Sequence, residues 1–505
     1  MKFLVSLLFI LFFQIELYAQ NLFWVYLIEK ETPQTLSIPV SYQTIQNRLN
    51  QQLPLIQKSD FPPSSHCLTV LKNKNIQIRV ISKWLNAVSA QLTSEDIIEL
   101  KKCACVKEII PINTYSVPSG NFQQQQDIAL QQMKGEMLKD KNIDGEGFTI
   151  GVIDAGFWGA DTLTSLQNIF QQKRIRLTRD FLNPNPAKNF YGSETFLDDH
   201  GTYVLNCIAG ETSEYQYGLS TESQFILART DHGINESRRE EDLWIAAIEW
   251  MDSLGVKLVN TSLGYTTDFD DPNEDYKTNQ ITGNYSAIAK AAQIASTEKG
   301  ILIVVSAGNE GAEKKWEILA TPADAQGVLT VGANTLQGIK QEYSSIGPEK
   351  LPWLKPEVVA YSEDGTSFSA PLITGLAASL WAEYPTLTNT QLKNVIIQSA
   401  HLYPFGNNFL GYGIPQADRA LELIENQGNN PKEIIRITAK KKKVILPIKN
   451  PNLTIALFHT KGNNIVVKQE IITNSGKELI IIRPGICSHS TVAFGTQETI
   501  QIQWK

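Results

Sequence analysis

Residues 148–154 read FTIGVID, residues 256–264 VKLVNTSLG and residues 301–308 ILIVVSAG. Each is a short, nearly continuous apolar run, and each closes on polar or glycine residues. Between them lie stretches with helical spacing, EEDLWIAAIEWMDSL (240–254) and SAIAKAAQIASTEKG (286–300). Strands without polar alternation are buried on both faces, and strands alternating with helices build a parallel sheet covered on each side. The expected fold class is α/β, with three layers around a mostly parallel central sheet. Ligand sites in such sheets gather at the carboxyl ends of the strands, so the polar tails of these runs are where chemistry is expected.

Working outward, the first residues are MKFLVSLLFILFFQIELYAQN. Lys2, the apolar run Phe3–Phe13 and the small Ala19 have the layout of a secretory signal peptide over residues 1–19. The run is too short to cross a bilayer comfortably. A secreted, cell-surface or periplasmic protein follows, with no stable membrane span after signal cleavage. Residues 20–120 are expected to form a small α+β domain. Ile76–Val80 alternates like a strand. LTSEDIIELKK (92–102) opens on cap-type and acidic residues and ends in lysines, as a short helix does. Val106–Ile112 reads as a further strand. TYSVPSGNFQQQQD (114–127) reads as an exposed linker. The α/β domain is expected over 121–426, with a boundary near ENQGNNPKE (425–433). Short β-type runs beyond it give a β-rich domain over 430–505.

The 505 residues are 42% apolar and 19% charged, as suits a multidomain globular chain. A formal charge of −7 argues against a nucleic-acid partner, which asks for a basic footprint. Five cysteines, an odd number, make no disulfide scaffold. Neither HExxH nor paired CxxC motifs occur, so nothing supports a zinc enzyme. No metal or cofactor is required for the chemistry argued below. The acidic loop TTDFDDPNEDY, with Asp268, Asp270, Asp271 and Asp275, offers oxygen ligands for a structural calcium. It lacks an EF-hand pattern and reads as a solvated loop. Lys440–Lys443 reads as a solvated strand edge that resists aggregation rather than a site for an anionic surface. Cys207 reads as a packing residue.

Three positions put unusual polar groups at strand ends or helix starts. Asp154 ends a buried strand, where an unpaired charge would be very costly. His200, in DDHGTYVLNCIAG, precedes a mostly apolar helix, and Gly201 lets the backbone come close. Ser367, in GTSFSAPLITGLAASLW, precedes another apolar helix. Pro371 is expected in that helix's first turn, where a missing N–H does no harm. Singly these read as a turn acid, a satisfied helix-end histidine and a cap. Jointly they are an acid, a base and a nucleophile in one of the three chain orders in which a catalytic triad occurs on unrelated folds. Asn309, just past a buried strand and among glycines, can donate to a developing oxyanion. An α/β-hydrolase would show G-x-S-x-G followed by acid and histidine; here no such motif occurs and both groups precede Ser367.

GVIDAGF, DDHGTYVLNCIAG, NTSLGY, VVSAGNEG and DGTSFSAP stand in the order of the blocks of subtilisin-like serine proteases, the subtilase family (peptidase S8), and GYGIPQADRAL resembles that family's closing segment. The likeness covers about residues 143 to 425 and implies a secreted serine endopeptidase made as a zymogen. By that resemblance Ser367 attacks the peptide carbonyl, His200 moves the proton and Asp154 orients His200. The Ser367 N–H and the Asn309 side chain hold the oxyanion, while Thr366 and Ser369 act as supports. Ser262, Leu263 and Gly264 match the strand that pairs with the substrate backbone, implying peptide or protein substrates. The region before the linker resembles a subtilase propeptide, an inhibitor and folding aid cut off within residues 113 to 126, so the chain's own propeptide is a partner. One departure stands out: the segment before Ser367, LKPEVVAYSEDGTSFSAP, is shorter than is usual in the family. It leaves open the alternative of a catalytically inactive binding protein on the same scaffold.

Overall fold

The computed structural model describes residues 21–32, 40–112, 125–183, 189–193, 198–232, 237–267, 269, 272–426, 434–462, 464–472 and 476–505. The signal segment, most of the linker and the loop acids Asp268, Asp270 and Asp271 lie outside the described residues.

The N-terminal unit comprises β1 (Asn21–Leu27), α1 (Tyr42–Asn50), α2 (Ser65–Asn73), β2 (Gln77–Ser82), β3 (Ala87–Leu92), α3 (Ser94–Lys101) and β4 (Val106–Ile112). Its antiparallel sheet runs β2-β3-β1-β4. Thr93 and Asp96 close a capping box at the start of α3, satisfying two orphan N–H groups. The period-2 alternation of β1 sorts its side chains. Val25 and Leu27 enter the unit's own core with Leu71, Val88 and Leu100. Trp24 faces the other way and joins Trp244, Ile248 and Met251 of the central domain.

The central domain comprises α4 (Gln125–Gln132), α5 (Glu136–Asp140), β5 (Thr149–Asp154), α6 (Gln167–Gln171), β6 (Ile175–Asp180), α7 (His200–Ala209), β7 (Gln224–Arg229), α8 (Arg239–Ser253), β8 (Leu258–Thr261), α9 (Ala287–Thr297), β9 (Leu302–Ser306), β10 (Leu329–Asn334), β11 (Val358–Tyr361), α10 (Thr366–Glu383), α11 (Asn389–Ser399) and α12 (Ala417–Glu425). Seven parallel strands form one sheet in the order β11-β10-β9-β8-β5-β7-β6. The strands read as apolar runs because helices cover both faces. α7 and α10 pack on one side, with Val204, Leu205, Leu372 and Ile373 in that core. α8 and α9 pack on the other, with Trp244, Ile248, Ile288 and Ala292. The edge strand β6 is the exception, largely exposed.

Two expectations need correction. Gln125–Asp127, read as linker, belong to α4. Pro371 is not in the first turn of α10, which begins at Thr366; it is the sixth residue of the helix. Its missing N–H therefore leaves the carbonyl four residues earlier, that of Ser367, without a helical donor.

α8 carries the acids that hold the N-terminal unit. Arg79 Nη1 pairs with Asp242 Oδ2 at 3.0 Å, and Glu249 accepts from the Ser82 hydroxyl and from the Lys83 and Trp84 amides, both at 3.2 Å. Further along, Arg48 pairs with Asp60 at 2.7 Å and approaches Asp252 at 3.6 Å, while Lys299 reaches Asp60 at 2.7 Å. α1 adds the Thr44 hydroxyl on the Asp252 carbonyl at 3.0 Å.

The C-terminal unit comprises β12 (Ile435–Ala439), β13 (Lys443–Pro447), β14 (Ile455–Lys461), β15 (Ile465–Ile472), β16 (Glu478–Ile482), β17 (His489–Phe494) and β18 (Glu498–Trp504). Five strands form a sheet, β12-β18-β17-β14-β15, and β13 and β16 a separate ribbon. Ala456, Phe458 and Ala493 face the central domain and share its core. Ile455, Leu457, Val492 and Ile502 face away, beneath Leu446, Leu479 and Ile481 of the ribbon. Among the described residues no helix is long and apolar enough to cross a membrane.

Candidate active site

The polar groups singled out in the sequence converge at the carboxyl ends of parallel strands. Asp154 ends β5, Ser262 follows β8, Asn309 follows β9, and the segment Ser362–Gly365 leads from β11 into α10. His200 opens α7, over the end of β5. Its Nδ1 lies 2.6 Å from Asp154 Oδ1, with both side chains buried. The same Oδ1 accepts the Ala155 amide at 2.8 Å. Gly201 makes this approach possible: a Cβ there would stand 2.4 Å from the Gly156 carbonyl oxygen and 2.9 Å from Asp154 Cβ. Burial works against a charged imidazole, but the charge and hydrogen bond of Asp154 prevail and raise the His200 pKa above its ordinary value.

Ser367 is the second residue of α10, so its N–H is one of the first-turn donors that no helical carbonyl can meet. The helix dipole adds a positive end at the same place. Gly365, at φ 137°, makes the turn into the helix. The segment leading into α10 is braced from β10's side: the Tyr343 hydroxyl donates to the Ser362 carbonyl at 2.8 Å and accepts the Gly365 amide at 3.0 Å.

Two clamps hold the serine. The Ser262 hydroxyl donates at 2.8 Å to the Ser367 carbonyl that Pro371 left without a partner, and Asn260 Nδ2 donates to the Ser262 hydroxyl at 3.2 Å. The Ser367 hydroxyl itself donates to the Ser262 carbonyl at 3.2 Å rather than to His200. Phe368 lies beside the imidazole, with ring centroids 5.5 Å apart. Asn309 is oriented by Thr366, whose N–H and hydroxyl meet its Oδ1 at 2.9 and 3.1 Å. With the oxygen engaged, the amide NH₂ is the end left to donate. The Ser369 hydroxyl, by contrast, donates to the Ala360 carbonyl at 2.9 Å, away from this site.

Leu263 and Gly264 commit no backbone group to another described residue, whereas Tyr265 is paired with Thr321 at 2.9 and 3.1 Å. A short edge of unpaired peptide therefore runs away from Ser367. Of the loop acids, Asp275 Oδ1 accepts the Phe269 amide at 3.1 Å. Among the described residues no three acid, His or Cys side chains group to hold a metal ion.

Sequence reading missed the charges around His200. Arg229, buried at the end of β7, ties three segments together. Its Nε donates to the Ala155 carbonyl at 2.9 Å, Nη2 to Asp198 at 2.8 Å, and Nη1 approaches Asp180 at 3.5 Å. Asp231, two residues on, is buried near Asp154 and His200; burial first, then the Asp154 charge, push its pKa up to about 7. The only signal was RTD at the tail of an apolar strand, on which no motif draws attention.

The subtilase family pattern matches residues 145–413, more than half of the chain. The chain belongs to the subtilase family. Residues 22–128 match the peptidase S8 propeptide domain of Bacteroidota. Subtilisin NAT of Bacillus subtilis subsp. natto is 26% identical over 360 residues, 67% of this chain and 81% of that protein. A thermostable alkaline protease of Halalkalibacterium halodurans is 25% identical over 354 residues, 66% and 83% of the two chains. In structure, a mutant of the epidermin leader peptide processing serine protease of Staphylococcus aureus superposes with a TM-score of 0.56, at 14% identity, over 80% of this chain and 99% of that one. This subtilase is thus a serine-type endopeptidase with the subtilisin-like α/β fold, preceded by a propeptide domain and followed by β-rich strands.

Proposed function

We propose that this subtilase is a secreted endopeptidase, made as a zymogen, that cuts peptide bonds in proteins with Asp154, His200 and Ser367. The observation that carries the reading is the buried Asp154–His200 pair at 2.6 Å beside a serine at a helix mouth. A substrate strand pairs with Leu263 and Gly264, which is affinity without sequence demand. The Ser367 hydroxyl swings from the Ser262 carbonyl to His200 Nε2, which takes its proton as Oγ attacks the carbonyl carbon. Side-chain rotation of this kind is fast, and catalytic hydrogen bonds often form only with substrate bound. The oxyanion is met by the Ser367 N–H and Asn309 Nδ2. Losing one such side-chain donor costs roughly 10²–10³ in turnover, a range measured within this family. His200 then protonates the leaving amine, and water repeats the sequence to free the acyl group.

The organisation that fits is a signal peptide at 1–19, a propeptide at 20–120, a catalytic domain at 121–426 and a C-terminal β-domain at 430–505. The ion pairs and hydrogen bonds that help hold the N-terminal unit on α8, beside the apolar Trp24 contact, support a removable partner, since charged groups stay soluble when parted.

The test is expression of the precursor beside a Ser367→Ala variant, followed by size on a gel and by casein hydrolysis. The parent is expected to shorten near residue 120 and digest casein while the variant does neither. If both stay folded, full length and inert, the triad assignment fails and the scaffold binds peptides without cutting them.

A further inference from the structure

The β13–β16 ribbon lies on the far side of the C-terminal sheet from the protease body. Register fixes which residues look outward: Ile445 faces Ile480, and Lys443 faces Ile482. Val444, Leu446, Leu479 and Ile481 point in, over the sheet. Ile445, Ile480 and Ile482 are 49, 51 and 66% exposed, and Ile486, in the turn that follows, is 71% exposed. A solvated face of an antiparallel ribbon normally carries polar side chains. Contiguous exposed apolar residues rimmed by polar ones mark an interaction site.

The charge of this unit is independent of that geometry. Residues 434–505 hold eleven lysines and arginines against three glutamates and no aspartate, a formal +8. The whole chain is −7, so the remaining residues carry −15. Lys440, Lys441 and Lys442 are exposed in the turn that feeds β13. The Arg483 amide donates to the Lys442 carbonyl at 2.8 Å, which sets that turn beside Ile482. The lysines therefore rim the isoleucine face.

We propose that this face docks the protein on an anionic lipid surface, with the isoleucines entering the boundary between headgroups and acyl chains and the lysines meeting the phosphates. Membrane-surface binding joins these two terms, buried apolar area and attraction to anionic lipid. A polyanion would engage the lysines and give the isoleucines nothing to bury in. A second copy would bring two faces of the same sign together at a two-fold contact. The split of charge also orients the molecule: the acidic body is repelled by the surface that attracts the ribbon, so the site-bearing domain stands off in solution.

The experiment uses the full chain as Ser367→Ala, which keeps it intact whatever its catalytic role. It is sedimented with vesicles of phosphatidylglycerol and phosphatidylcholine in equal parts, and with phosphatidylcholine alone. Binding is expected to the first and not the second, weakening as salt is raised. Ile480→Ser with Ile482→Ser is expected to lower binding roughly tenfold or more. Lys441→Gln and Lys442→Gln should each lower it about fivefold. These side chains are exposed, so melting temperatures should match the parent; the lysine pair serves if the serine pair does not fold. Three results overturn the proposal: no binding to anionic vesicles at low salt, binding indifferent to the isoleucines, or self-association that the isoleucine variant abolishes without lipid.

Discussion

Thr366→Val tests how Asn309, the proposed oxyanion donor, is held. The change removes one oxygen and keeps the shape of the side chain. That hydroxyl accepts the Gly308 amide at 3.1 Å and stands 3.2 Å from the Gly308 carbonyl and 3.1 Å from Asn309 Oδ1. Its single hydrogen serves one of those two oxygens at a time. The Thr366 N–H, at 2.9 Å from Oδ1, survives the change. Asn309 thus loses the weaker of its two tethers, worth about 1 kcal/mol as a neutral hydrogen bond. An amide freed to that extent faces the oxyanion less often, and kcat is expected to fall about fivefold with KM little changed. The unpaired Gly308 amide adds about 1 kcal/mol of lost stability, near the low end because the site is only partly buried. Asn309→Ala should cost the full 10²–10³, roughly the value of a whole donor. The decisive measurement is the double variant, assayed on a small peptide ester and on casein. If Thr366 acts through Asn309, the double variant is no slower than Asn309→Ala alone. A further fivefold loss in that background would refute the clamp, and Thr366 would then act on Ser367 directly.

Three other expectations follow from the contacts described above. The base must be neutral to act, and Asp154 raises the His200 pKa over the opposing effect of burial, so kcat/KM should fall as pH drops through a value above 6.5. Asp231 adds to that rise, so Asp231→Asn should move the acid limb to lower pH; an initial-rate profile whose limb stays put or moves up contradicts the assignment. Lys299→Met leaves Asp60 with Arg48 and the Gln57 amide as partners and should destabilise the Ser367→Ala precursor by about 3 kcal/mol, read from urea unfolding. Asp60 is buried, which raises its pKa, but Arg48 and Lys299 pull it down to about 2, so this contribution is present above the ordinary carboxylate range and fades as pH falls through about 2. Gly201→Ala sets a Cβ against two rigid groups; it should push His200 off Asp154 and cost roughly 10² in kcat/KM, and an unchanged rate would mean that α7 has room to shift.

The sheet and its site were legible because the same residues encode both. Apolar runs such as ILIVVSAG are buried on two sides, and their polar tails are the strand ends where Asp154, Ser262 and Asn309 now stand. Helix α3 was legible through its cap and charges. The N-terminal unit was less so: β1, α1 and α2 gave no clear reading, because Trp24 and Val25 serve two different cores and blur the alternation. Arg229 and Asp231 were hidden for another reason. Their roles come from neighbours on β5, β6 and α7, and pairing between distant strands leaves no mark on local spacing. Pro371 was misplaced because Ser367 was read as lying before the helix, whereas α10 already opens at Thr366 and takes Ser367 as its second residue.

That proline has a consequence for how the family member can vary. With its N–H absent, the peptide unit of Ser367, the proposed nucleophile, is fastened to the segment beside it instead of to the next turn of its own helix. Under the proposed function, the part that cuts and the part that aligns the chain to be cut therefore share a fastener, Ser262. A substitution at 262 that adjusts the cleft for a new substrate also loosens the serine, unless position 371 regains a donor in the same step. The two sites, 109 positions apart in the chain, should drift as a pair or stay still.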